Sequence, residues 1–130
     1  MNRILVIDDA ATVRMYHRKI LGDAGWHTEE ASNGVEALER VHTQADGEAF
    51  DLYVVDVNMP KLDGYGFLHE LRAQAIVQAP AIMVSTEAGP DDRTRAYAAG
   101  ANAYLVKPVK PEQLRTYAKL LLGGIGGAPV

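Results

Sequence analysis

The chain of 130 residues has no cysteine. Without thiols there can be neither a disulfide framework nor a thiolate metal site, which suits a reducing compartment. No long apolar run is present either. The start, Met1-Asn2-Arg3, leads straight into a short apolar stretch ending at Asp8, too brief for a signal-peptide core or a membrane span, so a cytoplasmic location without membrane attachment is expected. Strong charge of one sign is also missing. The formal net charge is -4, and the basic residues are scattered, not gathered into a cluster able to neutralise a row of phosphates, so no nucleic-acid binding is expected. With 48% hydrophobic and 23% charged residues, the compositional bias of disorder is absent too. This length suits one domain with a real core and no second module, so any output is expected from the domain's own surface.

Several short apolar or β-branched runs recur: Ile4-Leu5-Val6-Ile7, Leu52-Tyr53-Val54-Val55, Ala81-Ile82-Met83-Val84 and Ala103-Tyr104-Leu105-Val106. They do not alternate with polar residues, which predicts strands buried on both faces. A fifth, Thr28-Glu29-Glu30-Ala31, is more polar and suits a sheet edge. Between them lie segments with apolar stripes at helical spacing: Val13, Ile20 and Leu21; Val35, Leu38 and Val41; Leu68 and Leu71. The last helix is expected to start at Pro111, to carry Leu114, Ala118, Leu121 and Leu122, and to stop at Gly123-Gly124. The fourth, around Asp91 to Ala99, has mostly alanine with Tyr97 and should be held least firmly. Strand and helix alternate five times, so the expectation is an α/β fold: a doubly wound parallel sheet covered by helices on both sides.

In such a sheet, ligands bind beyond the carboxyl ends of the strands. The residues there are Asp8 and Asp9 after the first strand, Asp56 at the end of the third, Ser85 and Thr86 at the fourth, and Lys107 and Pro108 after the fifth. Each has a plainer reading. Asp8-Asp9 could cap a helix, Asp56 through Pro60 could be a turn, Ser85-Thr86 could cap the fourth helix, and Lys107 could be a surface lysine. Their coincidence at one edge favours a site. Three carboxylates crowded together repel one another and recruit a cation; hard oxygen donors without histidine or cysteine favour magnesium over zinc, and the lysine complements a phosphoryl oxygen.

The stretches Val6-Ile7-Asp8-Asp9, Asp51-Leu52 through Pro60, Asp63-Gly64, Val84 through Ala88, Ala99-Gly100-Ala101 and Tyr104 through Pro108 resemble the receiver domain of two-component response regulators, most closely the single-domain chemotaxis (CheY-like) type. The resemblance runs from about Arg3 to Leu122. It implies a (βα)5 flavodoxin-like sheet in strand order 2-1-3-4-5, a receiver domain over 1–122 and a flexible glycine-rich tail over 123–130. It further implies that Asp56 is the phosphoacceptor, that Asp9 and Asp56 touch Mg2+ directly with the Asn58 backbone carbonyl, and that Asp8 acts mostly through water. Lys107 would pair with the phosphoryl group, Ser85 and Tyr104 would be the switch residues, Asn58, Thr86 and Glu87 would tune hydrolysis, and the Lys107–Pro108 bond would be cis. Such a protein is a switch that catalyses its own phosphorylation and dephosphorylation, not an enzyme acting on a separate substrate. The implied partners are a sensor histidine kinase and a downstream protein such as a flagellar switch protein, with the chain itself monomeric; a phosphorelay intermediate or a phosphate sink are alternatives. Thr86 departs from the family's habit of a small residue there.

Two other functions compete. A haloacid dehalogenase-type phosphatase wants a second acid two residues beyond its nucleophile, where this chain has Asn58. A flavodoxin-like cofactor binder wants a glycine- or hydroxyl-rich loop after the first strand, where Asp8-Asp9-Ala10-Ala11 would repel a phosphate.

Overall fold

A computed structural model of the chain describes residues 2–44 and 48–124. Five strands and five helices alternate: β1 (Arg3–Ile7), α1 (Ala11–Asp23), β2 (His27–Ala31), α2 (Gly34–His42), β3 (Leu52–Asp56), α3 (Gly64–Arg72), β4 (Ala81–Ser85), α4 (Pro90–Ala99), β5 (Ala103–Val106) and α5 (Pro111–Lys119). All strand pairs are parallel, in the order β2-β1-β3-β4-β5.

The unbroken apolar runs have a direct explanation. Successive side chains in a strand point to opposite faces, and both faces here are covered. Leu5, Ile7, Tyr53, Val55, Ala81 and Met83 pack with Phe67, Leu68 and Leu71 of α3, Ala37 of α2 and Ala96 of α4. On the other face Ile4, Val6, Leu52, Val54, Ile82 and Val84 meet Ile20 and Leu21 of α1 and Leu114 and Ala118 of α5. The more polar β2 is indeed at an edge, and its Glu29 and Glu30 bond to arginines.

Three details differ from expectation. Val35 is 43% exposed, whereas Leu38 and Val41 of the same stripe pack against the core beside the buried Gly34 and Ala37; a Cβ at Gly34 would collide with the Leu62 carbonyl, so the glycine permits a close approach there. The strand β2 begins one residue earlier, at His27. The α-helical part of the last segment ends at Lys119, and a π-helical turn, Leu120–Gly124, carries the chain to the expected glycine pair. Leu121 and Leu122 pack partly against the core beside α1 and α5. Residues 125–130 of the expected tail lie outside the described residues.

The chain turns from β1 to β2 on one side and then crosses to β3 on the other. The carboxyl ends of β1 and β3 therefore flank the point where the winding reverses, which is where an open α/β sheet has room for a ligand. Among the described residues, no helix is long and apolar enough to cross a membrane.

Candidate functional site

The register of the sheet assembles the site. Ile7 is opposite Val55, so the next residues, Asp8 and Asp56, end adjacent strands side by side. Asp56 is opposite Val84, and Ser85 is opposite Val106, which places Ser85 and Lys107 on the same edge. Asp8, Asp56 and Ser85 are buried, whereas Asp9 is exposed at the rim. The ammonium of Lys107 donates to Asp8 Oδ2 at 2.8 Å and to Asp56 Oδ1 at 2.9 Å. One oxygen from each of Asp8, Asp9 and Asp56 lies within 4.8 Å of the other two.

The electrostatics follow from burial and crowding. Burial pushes the Asp56 carboxyl above its usual range; the hydrogen bond from Lys107 opposes this, and the charges of Asp8 and Asp9 add to the rise. For Lys107 burial acts downward, but the hydrogen bonds to Asp8 and Asp56 outweigh it and the net shift is upward. With all groups ionised, three carboxylates against one ammonium leave two negative charges uncompensated. The donor set is hard oxygen only, so it fits a divalent cation of the magnesium kind and not zinc.

Three of the plainer readings do not hold. The N-cap of α1 is Ala10, with no side-chain cap; Asp8 Oδ1 instead accepts the Ala10 N–H at 2.9 Å, which fixes the carboxylate. The N-cap of α4 is Gly89, whose N–H is taken by Asp92 at 3.1 Å, so Ser85 and Thr86 cap nothing there. Lys107 has a side chain only 17% exposed. The stretch after Asp56 is shaped by Gly64, because a Cβ at that position would run into the Asp56 backbone carbonyl and Met83. Only a bare α-carbon lets the start of α3 come so close to the acid.

Around this centre, the Ser85 Oγ accepts the Glu87 N–H at 3.0 Å. Its own proton is not committed to any protein acceptor among the described residues. The Tyr104 hydroxyl donates to the Glu87 carbonyl at 2.7 Å, and the ring is buried. Arg93 of α4 lies over that ring at 5.2 Å. Asn58, Thr86 and Glu87 are exposed in the loops that follow β3 and β4, and the Lys107–Pro108 peptide is cis.

Two residues near the centre escaped the reading of the sequence. His17 is buried with an unpartnered Nδ1, and burial lowers its pKa from 6.5 to about 4, with Asp8 acting against and Lys107 acting with that shift. It shares the stripe of Val13, Ile20 and Leu21 at helical spacing, and that was its one signal. Arg14 donates to the Asp8 carbonyl at 2.6 Å, which no periodicity could have revealed.

Comparison with known proteins adds an independent line. A model of the family described as "Response regulator receiver domain" matches residues 4–119. The chain is 34% identical to chemotaxis protein CheY1 of Helicobacter pylori (strain J99) over 93% of this chain and 97% of that protein. It is also 34% identical to chemotaxis protein CheY of Pseudomonas aeruginosa over 96% of this chain and 99% of that one. Among solved structures it is similar to chemotaxis protein CheY4 of Vibrio cholerae, with a TM-score of 0.84, 34% identity, and coverage of 94% of this chain and 99% of that one.

Proposed function

The chain belongs to the response regulator receiver family, and from that premise we propose that Asp56 accepts a phosphoryl group from a phosphohistidine on a sensor histidine kinase. The observation that carries the reading is the contact of a single ammonium, Lys107, with both Asp8 and Asp56 inside a cluster of three carboxylates.

Asp8, Asp9, Asp56 and the backbone carbonyl of Asn58 would hold Mg2+, which when bound supplies positive charge against the phosphoryl oxygens. In the transfer, an Asp56 carboxylate oxygen forms a bond to phosphorus while the bond from phosphorus to the donor imidazole breaks; the bonding pair stays on that ring nitrogen, and the ring, which already carries a proton on its other nitrogen, leaves as neutral imidazole. Lys107, already within hydrogen-bond reach of Asp56, pairs with a phosphoryl oxygen. Ser85 contributes its uncommitted hydroxyl proton to another.

The output follows from the same hydrogen bonds. Drawing Ser85 toward Asp56 pulls on Glu87, and the Glu87 carbonyl holds Tyr104. The adjoining helix α4 buries only Ala96, so it resists displacement least. The face of α4, β5 and α5, with exposed Tyr97, Lys110 and Tyr117, thereby changes with the phosphorylation state and docks a downstream protein, in chemotaxis a flagellar switch protein. Water later cleaves the acyl phosphate, at a rate tuned by Asn58, Thr86 and Glu87.

The test is intact-mass detection of a phosphoryl adduct after incubation with a small acyl phosphate and magnesium. Wild type gains the adduct and Asp56→Asn does not; an equal adduct on both proteins rejects Asp56 as the acceptor.

A further inference from the structure

The guanidinium of Arg14 sits at the junction of α1, the edge strand β2 and the acidic turn after β1. Its Nη1 donates to the Asp8 backbone carbonyl at 2.6 Å, and its Nε donates to Glu30 Oε1 at 2.6 Å. The other oxygen of Glu30 receives Arg18 Nη1 at 2.7 Å, and Arg18 Nε reaches Thr28 Oγ1 at 3.1 Å. Two arginines one helical turn apart thus clamp one carboxylate of β2. The Arg14 side chain is 15% exposed, so its geometry is held from several sides.

The carbonyl that Arg14 holds belongs to the peptide between Asp8 and Asp9. That peptide is planar, so fixing its oxygen also fixes the direction in which the Asp9 α-carbon leaves Asp8. The remaining polar groups of Asp8 are engaged elsewhere: Oδ1 by the Ala10 N–H, Oδ2 by Lys107, and its N–H by the Ala31 carbonyl at 3.2 Å. Asp9, by contrast, is exposed. No hydrogen bond to its side chain is found among the described residues, so its carboxylate has little but the backbone to aim it.

We propose that Arg14, braced by Glu30 and Arg18, is a positioning residue that aims Asp9 and Asp8 at the divalent cation. The inference rests on the magnesium reading of the site, and charge and position make opposite forecasts for it. If Arg14 acted only through its charge, removing a cation near three carboxylates would tighten magnesium binding. If it acts by holding the peptide, removal loosens binding, as loss of a group that orients metal ligands does.

The experiment is calorimetric titration of the full chain with magnesium alone, for wild type, Arg14→Ala and Arg14→Lys, with circular dichroism to establish folding at the titration temperature. Arg14→Ala should weaken binding about tenfold. Arg14→Lys keeps the charge but loses the planar fork, and should weaken it by about threefold. Unchanged or tighter binding by a folded Arg14→Ala overturns the proposal. Should that variant not fold, Arg14→Lys with wild-type affinity overturns it equally. Absence of magnesium binding by wild type would instead refute the cation site itself.

Discussion

Replacing His17 with leucine should raise stability at neutral pH and flatten the acid side of the stability profile. In the folded protein the imidazole is buried, its Nδ1 has no partner, and its pKa falls to about 4 against 6.5 when free. Between those two values the unfolded chain binds a proton that the folded chain does not. The contribution of His17 is therefore at its best above pH 6.5 and declines as the pH falls, until below about 4 the loss is complete. Linkage puts the loss between pH 7 and pH 4.5 at roughly 2 kcal/mol. At pH 7, removing an unpaired buried polar atom in favour of a similar apolar volume should add about 1 kcal/mol. Urea denaturation of both proteins at pH 7 and pH 4.5 in the presence of a chelator measures both quantities, and the other acids cancel in the comparison. The cancellation matters because Asp56, whose pKa is raised, works in the opposite sense, stabilising the fold as it takes up a proton ahead of the unfolded chain. If wild type and His17→Leu lose the same stability on acidification, the account of His17 as a buried neutral imidazole is wrong.

Gly64→Ala should cost about 2 kcal/mol or more, because the new Cβ meets the Asp56 carbonyl, a backbone atom with little freedom to yield; thermal unfolding checks it, and a wild-type midpoint would contradict it. Thr86→Ala should hasten loss of phosphate, since an exposed β-branched side chain beside the site obstructs the approach of water. The decay of the adduct after removal of the donor gives the rate, and slower decay in the variant would reject the steric reasoning.

Much of the architecture was legible because both faces of the sheet are buried. Four uninterrupted apolar runs suit strands covered on both faces, three of them central and the fourth the β5 edge, and the polar Thr28-Glu29-Glu30 run suits the other edge. The acids and the lysine were legible because an open parallel sheet gathers its strand ends on one edge. What escaped depends on contacts without periodicity. Val35 follows the stripe of its helix, yet it stays exposed while Gly34 meets Leu62 closely and Leu38 and Val41 take up the core contact. Leu121 and Leu122 follow the stripe of the last helix, yet they sit in a π-helical turn after the α-helix has ended at Lys119. Arg14 looks like any surface arginine of an amphipathic helix. Its meaning lies in a carbonyl six residues back and a glutamate on another strand.

The most direct measurement is to digest the chain after reaction with a small acyl phosphate and find which peptide carries the added phosphoryl mass, with and without magnesium. A single modified peptide containing Asp56, formed only when the cation is present, is the predicted result. Modification at another residue, or equal yield with the cation chelated, would contradict the shared pocket of Asp8, Asp9, Asp56 and Lys107.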